Sequence, residues 1–443
     1  MPPEAALGFV DPRTGRPGSG ATRRQLNAAV PSLRRRLGRT LYRLLLRAAL
    51  GMHAVWVVLG RKLRPVRSQR APDGVDLLLT AMFHSESWIR AQLEPLARAP
   101  NCRTIWLITT TRLPPLPKLH PVYPPRWLIR CTGRSTARLI VFAWTAVRRR
   151  PHIIGGFHLL VNGLVADALA SWLGVRSLYI STGGPMEAID GGIWAENRLF
   201  AKIETPAPVI ERRLFQAVGR FSQVVVRGSR AREVFRSRGA FNPIEVITGG
   251  IDGVTFAPPL TPPDIDLIFT GRLAEIKRID VFLRTVRLVR DAVPSVSAII
   301  VGDGERRTAL EALARELDIG DCITFAGHQA DVAGWLRRSK IFVLTSDSEG
   351  LALSLMEAMM CGLPAVVSDV GDLGDLVEDG VNGYLVQRRS PEAFAERICE
   401  LLLNEDKLAA NSRAARQAAL RHETGRVARR WDEILEQEAS RPR

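Results

Sequence analysis

Two glutamates, Glu349 and Glu357, stand in the stretch Ser346-Asp-Ser-Glu-Gly-Leu-Ala-Leu-Ser-Leu-Met-Glu-Ala-Met-Met-Cys-Gly-Leu-Pro364. The apolar residues 341–345 before it predict a strand, and the apolar pattern from about Ala352 predicts a helix, with a polar glycine-containing loop between. A helix start offers unpaired backbone N–H groups and a positive dipole end, which suits a diphosphate. Glu349 then sits in the loop with Gly350 and Leu351, and Glu357 lies about a turn and a half inside the helix. One carboxylate can reach a sugar while the other accepts from ribose hydroxyls. Glutamates at this spacing are common on solvated helix faces; the loop before them and the Gly-Leu-Pro stop after them favour the chemical reading.

A second group follows the first strand of the same half, in Phe269-Thr-Gly271-Arg272-Leu-Ala-Glu-Ile-Lys277-Arg278. Gly271 permits close backbone approach, and Arg272 and Lys277 place two cations just past a strand's carboxyl end, where a leaving diphosphate would lie. Arginine outnumbers lysine 56 to 6, so a lysine here carries some information. Gly302-Asp-Gly-Glu305 closes another strand with a tight turn, which suits a structural turn and a ligand contact equally.

Thr270-Gly-Arg-Leu with Lys277, Val301-Gly-Asp-Gly, Phe325-Ala-Gly327 and the Glu349/Glu357 pair resemble the large retaining glycosyltransferase family 4. The resemblance covers roughly residues 75–420 and is most specific in the C-terminal half. It implies a GT-B fold, in which two doubly wound Rossmann-like domains face each other across a cleft. It also implies transfer of a sugar from a nucleotide-diphosphate sugar to an acceptor with retention of configuration, and neither metal nor cofactor. By resemblance Arg272 and Lys277 hold the donor phosphates, Glu349 approaches the transferred sugar, Glu357 binds ribose, and backbone around Gly327 and His328 holds the base.

The N-terminal half matches less closely. His158, in Ile154-Gly-Gly-Phe-His, resembles the family's histidine near the donor sugar, although His152 is close by and a packed or capping role is the alternative. Where the family often has a His-Gly pair, this chain has Ser181-Thr-Gly183-Gly184-Pro185, a departure that alters the acceptor side. In Phe83-His84-Ser85-Glu86-Ser87, His84 or Glu86 can contact acceptor, and Ser85 or Ser87 can instead cap the following helix.

The elements that must position these residues follow from periodicity. From Asp73 onward short apolar strands alternate with amphipathic helices, the rhythm of a parallel sheet covered on both faces. Four prolines within residues 256–264 interrupt it and read as a linker. The expected organisation is a basic extension over 1–72, an acceptor-side domain over 73–257, a nucleotide-sugar domain over 258–412 and a helical segment over 413–443. At 443 residues and 46% hydrophobic content the chain can bury two cores.

The net charge of +17 is concentrated in the extension, where fifteen basic residues and no acid separate Asp11 from Asp73. Residues 1–72 carry +13 and the remainder only +4, so no nucleic-acid partner is expected. Residues 1–30, rich in Pro, Gly and Arg, are expected to be disordered. From Leu37 apolar residues interleave with Arg39, Arg43 and Arg47, and residues 48–60 carry no formal charge. That run is short of the roughly 20 residues a spanning helix needs. The favoured expectation is an interfacial helix whose apolar side enters lipid while arginines in 34–67 meet anionic headgroups; the alternative is a helix packed on the body.

Five scattered cysteines indicate neither a zinc site nor disulfides, which suits a reducing cytoplasm and, with the helix, the inner face of a membrane. The acceptor expected there is a lipid-linked or envelope glycan. Asp264-Ile-Asp266 spells a metal-binding D-x-D, but it abuts the prolines and opens a strand. A nicotinamide oxidoreductase is disfavoured because no G-x-G-x-x-G follows the first strand of either half. A sugar epimerase or phosphorylase of the same fold is not favoured by the Glu349/Glu357 loop. A silent GT-B scaffold or binding subunit at the membrane is the rival from another class.

Overall fold

The computed structural model describes residues 33–64, 73–83, 85–194 and 197–440. The segment expected to be disordered and the acceptor-side candidate His84 lie outside them. Two compact units divide the chain: one ends at Thr248 and resumes at Ala428, and the other is Gly249–Val427.

The first unit holds a sheet of seven parallel strands, β1 (Val75–Thr80), β2 (Cys102–Ile108), β3 (Leu119–Val122), β4 (Ile153–Phe157), β5 (Arg176–Ile180), β6 (Gln223–Val226) and β7 (Ile244–Val246). Their spatial order is β3-β2-β1-β4-β5-β6-β7. The helices are α1 (Leu33–Leu63), α2 (Glu86–Arg98), α3 (Arg126–Thr132), α4 (Arg134–Arg149), α5 (Leu164–Leu173), α6 (Arg198–Ala201), α7 (Pro208–Val218) and α8 (Ser229–Ser237). Strand β1 is buried at every position because both sheet faces are covered. Strand β3 escapes sequence periodicity because it contains Pro121, which the ladder tolerates at the sheet edge.

The second unit holds six parallel strands, β8 (Ile265–Thr270), β9 (Ala298–Val301), β10 (Ile323–Gly327), β11 (Ser339–Leu344), β12 (Ala365–Ser368) and β13 (Gly383–Val386). They run in the order β10-β9-β8-β11-β12-β13. Its helices are α9 (Ile279–Ala292), α10 (Arg307–Glu316), α11 (Val332–Arg337), α12 (Leu353–Met360), α13 (Pro391–Leu402) and α14 (Glu405–Ala419); α15 (Thr424–Ser440) begins here and ends in the first unit. Phe269, Phe282 and Phe342 sit fully buried in its core. Winding reverses between β1 and β4 in one sheet and between β8 and β11 in the other. Because all strands are parallel, the loops leaving β8 to β12 gather on one rim, beside the switch point where ligands of such sheets bind.

Helix α1 packs on α5 and α7 of the first unit. Three of the arginines expected to meet headgroups, Arg39, Arg43 and Arg61, face the protein instead. Arg39 pairs with Glu204 at 2.9 Å, and Arg43 donates to the Ile203 and Thr205 carbonyls at 3.2 and 3.0 Å. Arg61 pairs at 2.7 Å with Asp167, whose side chain is fully buried. The physical reason is the partner set: without Arg61 the buried Asp167 carboxylate would stand uncompensated, and the 203 and 205 carbonyls accept from Arg43.

Candidate active site

In the second unit, the loop after β11 is tied to the turn after β8. Thr345 Oγ1 donates to the Lys277 and Arg278 carbonyls at 3.1 and 2.8 Å, and the Asp347 N–H donates to the Ile276 carbonyl at 2.9 Å. Asp347 accepts from Arg389 at 3.1 Å and from Arg278 at 3.4 Å. Arg278 adopts a left-handed φ of 47°, which ends the short 3-10 turn Glu275–Lys277 and starts α9.

This brace brings two expected site residues into contact. Lys277 Nζ lies 2.5 Å from Glu349 Oε1, which also accepts from Ser346 Oγ at 2.6 Å. Arg272 is exposed in the same turn as Lys277. The loop's other wall is Gly371, at φ +55°, where an added Cβ would stand 1.9 Å from the Glu349 carbonyl oxygen. The Asp372 N–H donates to the Gly350 carbonyl at 3.3 Å, and Leu351 is buried beneath the loop.

Helix α12 begins at Leu353, close to the expected start, and no side chain caps its N-terminus. Glu357 is half-buried and has no hydrogen-bond partner among the described residues. Burial pushes its pKa from 4.5 up to about 7. A partly desolvated, unpartnered carboxylate is costly unless a ligand supplies donors.

The turn after β9 has a structural role. Gly302, at φ +144°, lies so close to Gly271 that a Cβ would come within 1.9 Å of its carbonyl oxygen, and its N–H donates to Gly327 at 2.8 Å. Gly271 and Gly327 are thereby held at the strand ends on either side of β9, and His328 beyond them is exposed. Asp264 and Asp266 are engaged by Arg338 at 2.5 Å and Lys340 at 2.8 Å. These pairs account for the D-x-D as structure at the foot of β8.

In the first unit, His158 ends β4 with φ +65°, a left-handed conformation unusual for a side chain other than glycine. Its Nδ1 lies 2.7 Å from Thr182 Oγ1 and 3.4 Å from Glu187 Oε1. Buried Glu187 also accepts from the Gly183 N–H at 2.8 Å and from the Leu159 N–H. Burial alone would raise the Glu187 carboxyl, but the His158 ring and these N–H groups outweigh it and hold the carboxyl below the ordinary glutamate value. Gly184, at φ +61°, opens the 3-10 turn that delivers Glu187. His152, the competing histidine, accepts the Asp76 N–H at 3.0 Å and so belongs to the framework.

At the start of α2, Ser85 Oγ accepts the Trp88 N–H at 3.3 Å, and Glu86 pairs with Arg90 at 2.9 Å on an exposed face. Capping therefore accounts for Ser85, while Glu86 lines a groove with Thr111 and Arg112. Sequence reasoning missed Glu187, Thr182, Gly371, Asp347 and Arg389. Only Gly371 carried a usable signal, a glycine between Asp369 and Asp372 just past an apolar strand.

Residues 264–404 match the family model for glycosyl transferases group 1. That segment contains the Lys277, Glu349 and Glu357 cluster. A D-inositol 3-phosphate glycosyltransferase of Thermobispora bispora is 34% identical over 179 residues, covering 38% of this chain and 42% of that relative. An N-acetyl-alpha-D-glucosaminyl L-malate synthase of Bacillus anthracis is 30% identical over 141 residues, covering 32% and 36%. The chain thus spans less than half the length of these curated relatives. The crystal structure of Anabaena HepE in complex with UDP-glucose superposes with a TM-score of 0.63 at 18% identity, over 82% of this chain and 100% of that one. At that identity the likeness establishes the fold, two Rossmann-like units of the GT-B kind.

Proposed function

We propose that the protein is a retaining glycosyltransferase of family 4, moving a sugar from a nucleotide-diphosphate sugar to a glycan or glycolipid acceptor. The observation that carries this reading is the Lys277–Glu349–Ser346 cluster with the unpartnered Glu357 carboxylate, in a segment matching the glycosyl transferases group 1 model. The glycosyltransferase activity named for the first relative supports sugar transfer, and the UDP-glucose complex of HepE is the precedent for a nucleotide-sugar donor.

In this reading the ribose hydroxyls donate to Glu357, and the base rests against backbone at Gly327 and His328. Arg272, Lys277 and the α12 N-terminus stabilise charge growing on the diphosphate as the glycosyl–oxygen bond breaks. Glu349 and the backbone of Gly350 and Leu351 face the sugar, and Lys277 exchanges its bond to Glu349 for one to phosphate. The acceptor hydroxyl attacks the face the diphosphate leaves, and its proton passes to the departing phosphate oxygen. His158, held by Thr182 and Glu187, binds the transferred sugar; Gly183, Gly184, Glu86 and His84 belong to the acceptor side. The five free cysteines suit a reducing compartment and so the cytoplasmic face of a membrane.

The test incubates the full chain with UDP-, GDP- and ADP-sugars and a panel of lipid-linked acceptors, reading nucleotide release and product anomer by NMR. Release with an axial donor giving an axial product supports the reading. An inverted product overturns retention, and donor binding without turnover on any acceptor overturns transfer.

A further inference from the structure

Helix α1 is built inside out. Its protein-facing positions include Arg39, Arg43, Arg47, His53 and Arg61 beside Leu46, Leu50 and Val57, at the three- and four-residue spacing of one helix face. Ties run its whole length: Arg39 to Glu204, the Arg213 guanidinium to the Arg47 carbonyl at 2.6 Å, His53 to the Leu164 carbonyl at 2.8 Å, and Arg61 to Asp167. Trp56 and Trp172 stack with centroids 4.6 Å apart.

The outward face is the apolar one. From Leu41 to Leu59 every exposed residue of α1 is Leu, Ala, Met, Val or Trp, with Met52 and Val55 each 67% exposed. A surface helix in water places its charges outward; here the outward face carries none from Leu41 to Leu59, and Arg43 and Arg47 of the same stretch turn inward. By length and composition Gly38–Leu63 suffices to cross a membrane, but a helix bolted along its length to α5 and α7 cannot thread through one.

We propose that this face of α1 lies in the plane of a lipid bilayer, with its uncharged stripe sunk among the acyl chains and the first unit seated on the membrane behind it. Charge complementarity favours lipid as the occupant. The uncharged stripe is flanked in the sequence by Arg34, Arg35 and Arg36 on one side and by exposed Lys62 and Arg64 on the other, an apolar centre between cationic ends that fits acyl chains bordered by anionic headgroups. Size disfavours a second copy of the chain. Nineteen residues of helix make a strip roughly 28 Å long and about 10 Å wide, well short of the ~800 Å² per partner that a stable dimer buries. This assignment differs from the arginine-to-headgroup expectation, because Arg39, Arg43 and Arg61 serve as bolts to the protein. It does not depend on the transfer reaction.

The experiment is flotation of the full chain, diluted from detergent, with neutral phosphatidylcholine vesicles and with vesicles containing phosphatidylglycerol. It compares wild type with Leu45→Glu/Met52→Glu and, as a control, Phe241→Glu, which alters an exposed apolar residue outside α1. A thermal melt of each confirms folding. The expected result is that wild type and the control float, more strongly with the phosphatidylglycerol vesicles, while the double variant, still folded, loses at least tenfold in vesicle-bound fraction with either. Equal flotation of the double variant, or no flotation of the folded wild type with either vesicle, overturns the proposal. So does a wild-type dimer that the double variant dissociates without any vesicle binding.

Discussion

Glu357→Gln should make the protein more stable and its donor site weaker, and both effects should depend on pH. Each pKa unit is worth about 1.4 kcal/mol, so a rise from 4.5 to about 7 sets an upper bound of roughly 3 kcal/mol on the cost of the ionised carboxylate. Below pH 4.5 the folded and unfolded states are both protonated and the cost is absent. Between 4.5 and about 7 the folded state keeps a proton that the unfolded state has lost, so wild-type stability falls with rising pH, and above about 7 it is level. Glutamine mimics the protonated form, so the variant should match wild type near pH 4 and exceed it at pH 8 by up to about 3 kcal/mol, read by urea denaturation. Nucleotide binding should move the other way. Ribose hydroxyls donate best to an ionised carboxylate, and losing a charge-assisted pair costs about 1.5–3 kcal/mol, so the variant should bind roughly ten- to hundredfold more weakly at pH 8. The deficit should shrink as pH falls through 7, and taking the ratio of the two proteins cancels the ligand's own titration. A variant that is less stable than wild type at pH 8, or that binds in parallel with it across pH 5–8, refutes this account of Glu357.

Lys277→Ala leaves the Glu349 carboxylate with Ser346 alone among the described residues, and calorimetry should show about a tenfold or greater loss for nucleoside diphosphates with little change for nucleosides. Gly371→Ala places a methyl against the Glu349 carbonyl at a left-handed φ; denaturation should show a loss of about 2 kcal/mol or more. Glu187→Gln removes the carboxylate beside His158. Because that carboxyl is held low, its contribution to stability is present above the ordinary glutamate value and is lost as pH falls through its folded value. The variant should flatten that acid limb in denaturation and shift the pH profile of transfer, whereas a merely space-filling role for Glu187 would leave the profile in place.

The two-sheet architecture was legible because parallel strands buried on both faces leave near-continuous apolar runs, as in Leu77-Leu78-Leu79 and Ile299-Ile300-Val301. Lys277 and Glu349 were legible from local spacing around a strand end. What spacing could not show is that they bond each other, since 72 residues separate them and only the β8–β11 adjacency brings them together. Glu187 was invisible for the same reason: its partners His158 and Leu159 lie on the loop after a neighbouring strand. The orientation of α1 could not be read either. Its arginines suggested a solvated or headgroup-facing side, and only the buried Asp167 and the carbonyls at 203 and 205 reveal that they turn inward.

The central claim is that the Gly249–Val427 unit binds a nucleotide-diphosphate sugar through Lys277, Glu349 and Glu357. Isothermal calorimetry of UDP, GDP and ADP, and of their common sugar conjugates, against wild type, Lys277→Ala and Glu357→Gln tests it most directly. The account expects wild type to bind one nucleotide family, Lys277→Ala to lose the diphosphate's share and Glu357→Gln the ribose's. Absence of binding by every nucleotide, or binding unchanged in both variants, would contradict it.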